Sequence, residues 1–294
     1  MDKIFLSIII CTLNRRKELL NCLCELVEQA AEFSDVEIII VDNGSTDGTE
    51  EAVRKSISNI SIPCSYVYEG RPGLSNARNA GRSKARGEVL AYIDDDAIPH
   101  SDWVKRVREH FLTRSSDCLA GRVGLKLETS LPEWFPSDLL WVLGESRFGE
   151  QERMLTEEES PQGQNFALKA GVFDVIGGFD PRMRLYSDEV EFFRRVHARG
   201  FTIAYRPDIA VDHFVSTSRL CKKALRKKAF MMGQGAAVMQ ILRSSDLLNR
   251  LGWATKYFLL ASRVGLAWFV RPRFDREFTF YFDLGYLYRI LSGE

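Results

Sequence analysis

Three consecutive aspartates, Asp94, Asp95 and Asp96, directly follow the apolar run VLAYI at residues 89–93. Adjacent carboxylates repel one another, and leaving them unpaired beside a buried strand costs considerable free energy. One explanation is that the strand ends here and the acidic run lies in water ahead of a helix. The other is that a divalent cation, which prefers oxygen ligands, binds these carboxylates.

Between the N-terminus and this acidic triplet, four apolar, β-prone runs alternate with helix-prone stretches. The apolar runs lie at residues 4–12, 36–42, 63–69 and 87–94, and helical stretches are predicted at about 16–31, after 46 and at 74–85. Continuous apolar runs of this kind are typical of parallel strands that are covered on both faces. The sequence therefore predicts an α/β fold with a mainly parallel sheet flanked by helices.

Polar side chains stand where three of these strands end. Thr12, Asp42 and Asp94 all occupy carboxyl ends, which meet at one edge of a parallel sheet and are where ligands bind in open α/β folds. The motifs GxxxxGK[ST] and GxGxxG do not occur. The sequence therefore disfavours a P-loop NTPase and a dinucleotide-binding dehydrogenase, and the polar edge must serve other nucleotide chemistry or none.

Composition narrows the class of protein further. The 294 residues include 40 Lys and Arg and 40 Asp and Glu, so the charge balance gives no indication of nucleic-acid binding. Six scattered cysteines, mostly in apolar segments, suit free thiols in a reducing compartment and disfavour a zinc site. The apolar N-terminal run lacks a small-residue cleavage site and is interpreted as a first strand. We expect a cytoplasmic protein.

The middle of the chain contains a long irregular segment and then a well-marked helix. Residues 122–162 are predicted to form either a lid or binding loop, or a loop that Trp134, Phe135 and Trp141 hold against the core. Residues 187–200 are predicted to be helical, with Ser187 as N-cap and Gly200 just past the end. A short strand is predicted at 201–208.

The C-terminal region is basic and then strongly apolar. Five cations lie within about two helical turns: Lys222, Lys223, Arg226, Lys227 and Lys228. The apolar stretch at 253–270 is interrupted by Lys256 and Arg263, so it falls short of a transmembrane span. It is predicted to be part of a buried helical pair or a helix lying in a membrane interface.

Five motifs in order resemble the glycosyltransferase family 2 series: SIIICTLNR, VEIIIVDNGSTDGT, GLSNARNAG, GEVLAYIDDDAIP and GGFD followed by SDEVEFFRRV. Each motif alone is weak, but together they cover roughly residues 4–215. The resemblance implies a GT-A fold, a nucleotide-sugar donor such as a UDP or dTDP sugar, Mn²⁺ or Mg²⁺ as cofactor, and inversion at the anomeric carbon. It also implies a catalytic domain at 1–215 and leaves 216–294 as a helical C-terminal extension.

The resemblance assigns roles to individual residues. It implies that Thr12 and Asp42 contact the nucleotide base and that Arg78 lies near the nucleotide pocket. Asp94, Asp95 and Asp96 correspond to the family's DxD element, in which Asp95 meets the ribose and Asp96 the metal. His213 matches a position where some members supply a further metal ligand, although a single histidine is also commonly structural.

The family's usual Glu-Asp pair, which opens the acceptor-side helix, has the reverse order here, Asp188-Glu189, so the resemblance alone leaves two candidates for the catalytic base. On a helical wheel, Glu189 shares the apolar face of Phe192, Phe193 and Val196, whereas Asp188 falls about a quarter-turn away, toward solvent. A carboxylate in the first turn of the buried face points toward the cleft above the sheet. We therefore expect Glu189 to be the base, with Asp188 as the second candidate.

These features favour an inverting glycosyltransferase of polysaccharide biosynthesis that uses a glycan or lipid-linked acceptor. Two other readings remain. A sugar nucleotidyltransferase also uses an α/β sheet and acidic metal ligands, but SIIICTLNRRKE lacks the glycine-rich basic loop expected near its first strand. The reversed order of the pair Asp188-Glu189 and the basic C-terminal region also fit a non-catalytic sugar-nucleotide-binding or membrane-scaffold protein. The basic helix predicts peripheral contact with the inner face of the membrane.

Overall fold

A computed structural model describes residues 3–58, 60–183, 186–243, 247–270 and 273–292. Its strands are β1 (Leu6–Thr12), β2 (Val36–Asp42), β3 (Cys64–Tyr68), β4 (Val89–Asp94), β5 (Ala97–Pro99), β6 (Cys118–Leu127), β7 (Arg153–Met154), β8 (Asn165–Lys169) and β9 (Ile203–Val215). Its helices are α1 (Arg16–Ala30), α2 (Thr49–Ile57), α3 (Leu74–Lys84), α4 (Trp103–Thr113), α5 (Ala170–Ile176), α6 (Asp188–Ala198), α7 (Lys222–Arg243), α8 (Leu247–Val270) and α9 (Phe274–Ser292).

The chain divides into two compact units. The first comprises Met1–Lys126, Gly144–Asp180 and Glu189–Phe214, and the second comprises Leu127–Leu143, Pro181–Asp188 and Val215–Glu294. The sheet belongs essentially to the first unit, and helices α7, α8 and α9 belong to the second.

The strands form one mixed sheet in the order β3-β2-β1-β4-β8-β6-β9-β5, with β7 paired to β9. Strands β1 to β4 are parallel, as the apolar runs predict. Strand β8 then pairs antiparallel with β4, and β6 pairs antiparallel with β8. The predicted α/β class is confirmed, and the antiparallel strands extend the sheet beyond the part that the repeating strand-helix pattern specifies.

The parallel half is covered on both faces, which is why its strands are continuously apolar. All seven residues of β1 are buried, and alternate side chains enter different cores. Ile8 and Ile10 pack with helix α1 residues such as Leu23, whereas Ile9 packs on the opposite face with Phe166. Burial on both faces fixes the register of β1, because a shift of one residue would exchange the two sets of contacts.

Strand β9 is longer than the short strand predicted at 201–208. Pro207 and the exposed Asp208 suggest a strand end in the sequence, but the strand continues to Val215. In the structure these two residues lie between the part of β9 that pairs with β7, at Tyr205, and the part that pairs with β5, at Val211. Pro207, which has no backbone N–H, therefore lies outside both of these ladders.

In the second unit, helices α7 and α9 pack backbone to backbone. A Cβ atom at Gly233 of α7 would collide with the carbonyl oxygen of Phe282, and one at Gly285 of α9 would collide with that of Phe230. Both positions therefore require glycine, since any side chain would force the two helices apart. Glycine normally weakens a helix interior, and here close packing offsets that cost.

Aromatic side chains hold the irregular segment Leu127–Leu143 within the second unit. The rings of Trp134 and Phe135 lie 4.8 and 5.8 Å from that of Phe274, between ring centroids, and Trp141 lies 6.0 Å from Phe278. This arrangement supports the interpretation in which these residues hold the loop against a core. Ser137–Leu143 forms a 3₁₀ helix.

Helices α8 and α9 pack against each other as an antiparallel pair. Tyr257 stacks on Tyr286, and Trp268 lies 5.9 Å from Phe280. One face of α8 is therefore buried against α9, as the predicted helical pair requires. Among the helices that the structure describes, none carries an apolar stretch sufficient to cross a bilayer.

Helix α9 buries a carboxylate whose removal we expect to stabilise the protein. Asp283 is 4% exposed, and burial raises its pKa to about 6. Among the described residues, its Oδ2 atom has no hydrogen-bond partner. Since the folded-state pKa exceeds that of the unfolded chain, the protein loses stability as pH rises through both values. Asp283→Asn should raise the free energy of unfolding at pH 7.5 by about 1–2 kcal/mol.

Urea unfolding at two pH values tests this expectation. The gain should be smaller at pH 5, where Asp283 is largely protonated in the folded protein. Asp174→Asn, at a side chain that is 78% exposed, serves as the control and should change stability little at either pH. A loss of stability in Asp283→Asn at pH 7.5 would show that the buried charge is compensated.

Candidate active site

Three strands bring the predicted polar residues to one edge of the sheet. In the register of the parallel strands, Thr12 at the end of β1 lies opposite Asp42 of β2, and Cys11 lies opposite Asp94 of β4. The polar residues are adjacent because all three strands end at the same level, as the sequence predicts. The connections after β1, β2 and β4 supply the other groups of the site.

Asp42 is almost fully buried and its carboxylate has two donors. The hydroxyl of Tyr66 on β3 donates to Oδ2 at 2.8 Å, and the backbone N–H of Ser45 donates to Oδ1 at 2.7 Å. Burial, and then the neighbouring Asp42, raise the pKa of Tyr66. Sequence reasoning did not identify Tyr66. Its position in β3, the neighbour of β2, was the available signal.

Asp95 and Asp96 share one guanidinium. Arg15 donates through Nη1 to Asp95 Oδ1 at 2.9 Å and to Asp96 Oδ2 at 2.7 Å, and Thr12 donates its hydroxyl to Asp95 Oδ2 at 2.7 Å. Burial raises the pKa of Asp95 to about 6, assisted by Asp96 and opposed by Arg15 and Thr12. Arg15, which sequence reasoning also missed, thus relieves the repulsion between the adjacent carboxylates.

Asp94 faces a second, buried guanidinium. Arg78 on α3 is 2% exposed, and its Nη2 atom lies 3.6 Å from Asp94 Oδ1 and donates to the carbonyl oxygen of Gly163 at 2.9 Å. Desolvation raises the pKa of Asp94 to about 7, since it outweighs the attraction of Arg78. The guanidinium also lies 5.5 Å from the ring centroids of Phe166 and Phe179. Arg78 is therefore fixed at the centre of the site.

Glu189, which is distant from Arg78 in the sequence, lies close to the same guanidinium. Its Oε2 atom lies 3.9 Å from Arg78 Nη1, and its side chain is 22% exposed. A Cβ atom at Gly163 would also lie 3.6 Å from Glu189 Cδ, so the loop before β8 passes close to this carboxylate. The structure thus brings Asp94 and Glu189 to one guanidinium while leaving Glu189 partly accessible.

Asp188 differs from the helical-wheel expectation. It is not directed to solvent: the residue is 3% exposed, less than Glu189. A wheel considers only the faces of the helix itself and contains no information about other segments that cover its first turn. Ser187 also differs from a usual N-cap, because its φ of 70° lies in the left-handed region. At the other end Gly200, with φ of 76°, follows the helix as predicted.

His213 and Asp96, the two predicted metal ligands, are neighbours. His213 Nε2 lies 3.3 Å from Asp96 Oδ2, and both residues are almost fully buried. Strand pairing explains this proximity, because His213 of β9 lies opposite Ala97 of β5, and Phe214 N–H donates to the Asp96 carbonyl oxygen at 2.8 Å. Within the described part of the chain, no three His, Cys, Asp or Glu side chains are grouped as a complete metal site.

Comparison with known proteins agrees with this arrangement. The glycosyl transferase family 2 model matches residues 7–191. The succinoglycan biosynthesis protein ExoM of Rhizobium meliloti is 27% identical over 79% of this chain and 74% of its own length. The glucosyl-dolichyl phosphate glucuronosyltransferase of Haloferax volcanii is 26% identical over 83% of this chain and 80% of its own length.

Solved structures share the fold. The mannosyltransferase PcManGT from Pyrobaculum calidifontis, solved with GDP-Man and Mn²⁺, superposes with a TM-score of 0.68 and 18% identity over 100% of this chain and 89% of its own. TarS from S. aureus with UDP gives a TM-score of 0.54 and 20% identity over 86% of this chain and 75% of that one.

The fold and the polar strand edge therefore define a GT-A glycosyltransferase, an enzyme that transfers sugar from a nucleotide-sugar donor. The chain belongs to glycosyl transferase family 2. Family membership favours glycosyl transfer over the nucleotidyltransferase and scaffold interpretations.

Proposed function

We propose that this protein is an inverting, metal-dependent glycosyltransferase that moves a sugar from a UDP- or dTDP-linked donor to a glycan or lipid-linked acceptor in polysaccharide biosynthesis. The observation that carries the proposal is the convergence of Asp94 and Glu189 on the buried guanidinium of Arg78. This convergence joins the acidic triplet, which would hold the donor, to a partly exposed carboxylate that would act on the acceptor.

The base of the donor would bind between the ends of β1 and β2. Asp42 is fixed by Tyr66 and Ser45, so its carboxylate is held in one orientation. A carboxylate held in this way can accept a hydrogen bond from an imide N–H such as that of uracil or thymine. Thr12 and Asp95, joined by their own hydrogen bond, would then face the base and ribose.

Asp96, which follows β4, and His213 of β9 suit a divalent cation together with a diphosphate. Asp96 and His213 offer one carboxylate and one imidazole at a single point, and donor phosphates and water would complete the coordination of Mn²⁺ or Mg²⁺. When bound, the cation would supply Lewis-acid stabilisation of the departing nucleoside diphosphate. Arg15, whose side chain is 43% exposed, adds a positive charge that can contact the same phosphates.

Glu189 would take the proton from the acceptor hydroxyl as that oxygen attacks the anomeric carbon. Arg78 positions the carboxylate from one side, and the partial exposure of Glu189 leaves room for an acceptor on the other. The preceding residue, Asp188, is buried and is the second candidate for this role.

We also propose that the enzyme lies in the cytoplasm, in peripheral contact with the inner face of the membrane. The basic part of α7 supplies part of the attraction. Lys223 and Lys227 are exposed there, whereas Arg226 forms an ion pair with the buried Glu277 and Lys228 lies over the ring of Tyr186. The cluster therefore contributes less free charge than its sequence suggests.

Release of the nucleotide from a panel of UDP-, dTDP- and GDP-sugars with Mn²⁺ tests the proposed function. We expect one UDP- or dTDP-sugar to release its nucleoside diphosphate. Asp42→Asn should weaken nucleotide binding by about 10–100-fold, since it alters a buried, charged hydrogen-bond acceptor. Tyr66→Phe should have a smaller effect, because Ser45 still orients Asp42.

The exposed Asp102→Asn, which lies ahead of α4, provides the control and should bind nucleotide as the unmodified chain does. Binding of a nucleotide sugar without transfer or hydrolysis, across the whole panel, would instead support a non-catalytic sugar-nucleotide-binding protein. Preference for a GDP-sugar would contradict the proposed donor class but not glycosyl transfer.

A further inference from the structure

Helix α8 turns an apolar face outward. Five of its large hydrophobic side chains are each more than half exposed: Leu251, Phe258, Leu259, Leu266 and Phe269. At about 100° per residue they fall within an arc of about 100°, so they form one continuous stripe along the helix. An exposed apolar stripe of this length on a 24-residue helix is characteristic of an interaction surface.

The polar residues within this stripe are internally satisfied. Thr255 donates its hydroxyl to the backbone oxygen of Leu251 at 2.9 Å, and Ser262 donates to that of Phe258 at 2.8 Å. Both hydroxyl groups therefore donate their hydrogen bonds within the helix and do not depend on water for an acceptor. The face can enter an apolar medium at a low desolvation cost.

The remainder of α8 anchors the stripe to the second unit. Ala254 and Ala261 are buried, and Tyr257 stacks on Tyr286 of α9. The helix is therefore held in place by its inner face, and the outward face is available without unfolding the helical pair.

Charge identifies what the outward face would contact. The sequence of α8 contains Arg250, Lys256 and Arg263 and no acidic residue. Lys256 and Arg263 are exposed and lie about 40–60° beyond one margin of the stripe. An apolar stripe bordered by cations is the pattern of a helix that lies in the plane of an anionic bilayer surface.

We propose that the outward face of α8 docks this protein on an anionic lipid surface, with the stripe at the acyl boundary and Lys256 and Arg263 at the headgroups. A second copy of the chain fits less well, because pairing α8 with itself would juxtapose cations without an acidic partner on either helix. This inference deepens the proposed membrane contact and does not depend on the catalytic residues.

Flotation of the full chain with vesicles tests the proposal. We expect binding to vesicles of phosphatidylcholine mixed with phosphatidylglycerol, and weaker binding to phosphatidylcholine alone. The double variant Leu259→Gln, Leu266→Gln should lower binding by about tenfold or more, since two apolar side chains no longer leave water. Lys256→Gln and Arg263→Gln should each lower binding to the anionic vesicles by about fivefold at low salt.

Leu112→Gln on α4 is the matched control. Leu112 is 58% exposed and Leu259 is 61% exposed, so Leu112→Gln removes a surface leucine equivalent to one of the two that the double variant replaces, and it is compared with Leu259→Gln alone. The control should bind vesicles as the unmodified chain does. Equal losses in Leu112→Gln and Leu259→Gln, or no flotation of the unmodified chain with anionic vesicles, would overturn the proposal.

A fluorescent reporter distinguishes insertion from simple charge attraction. Phe269, at the end of the stripe, is 86% exposed, so Phe269→Trp places a new indole in water. Its emission should shift to the blue on adding anionic vesicles and should be quenched by brominated lipid. No shift, or conversion of a dimer to a monomer by the double leucine variant with unchanged flotation, would assign the face to something other than lipid. Donor release measured on the same variants reports separately on the proposed function.

Discussion

Asp96→Asn is expected to lower kcat/KM by about 10³-fold or more, because it would remove a carboxylate ligand from a cation that is worth several kcal/mol in the transition state. Asp96 lies two residues after the end of β4, beside His213, and Arg15 also contacts its carboxylate. Chelation with EDTA should abolish turnover in the unmodified enzyme, and added Mn²⁺ should restore it. Steady-state donor release at a series of Mn²⁺ concentrations measures both effects.

Two controls separate a metal role from a structural one. Asp174→Asn removes an exposed carboxylate and should retain activity. His213→Gln should raise the Mn²⁺ concentration needed for half-maximal rate, which a purely structural histidine would leave unchanged. Thermal unfolding should show that Asp96→Asn remains folded. Full turnover of the unmodified enzyme in excess chelator would exclude the metal-dependent mechanism.

Glu189→Gln is expected to bind UDP normally and to lose about 10²–10⁴-fold in kcat, the usual effect of removing a general base. The substitution keeps the size of the side chain and its position near Arg78 but removes the proton acceptor. Nucleotide affinity by calorimetry and turnover in the presence of acceptor distinguish this outcome from loss of donor binding. A parallel loss of affinity and rate would indicate a binding role instead.

The neighbouring acid provides the comparison for this prediction. Because Asp188 is nearly fully buried, Asp188→Asn should affect stability more than turnover. Both variants should therefore be assayed together for melting temperature and kcat. If Asp188→Asn is folded but inactive while Glu189→Gln turns over, Asp188 is the base and the argument from the apolar face of α6 is wrong.

The local sequence was sufficient to predict the parallel half of the sheet and its polar edge. Runs such as SIIIC and EIIIV can bury both faces only as central strands, and the residues that end them must then meet at one edge. Neither conclusion requires knowledge of distant contacts. The acidic triplet at the end of β4 was recognisable for the same reason, as charge that follows a buried strand directly.

Only the tertiary structure decided which groups balance those charges. Arg15 reaches Asp95 and Asp96 across about 80 residues of sequence, and Arg78 meets Glu189 across more than 100. Contacts at such separations depend on how helices return over the sheet, which side-chain periodicity does not encode. The burial of Asp188 and the exposure of the α8 stripe have the same origin: a helix's own pattern gives its faces, but the segments packed around it determine which of them water reaches.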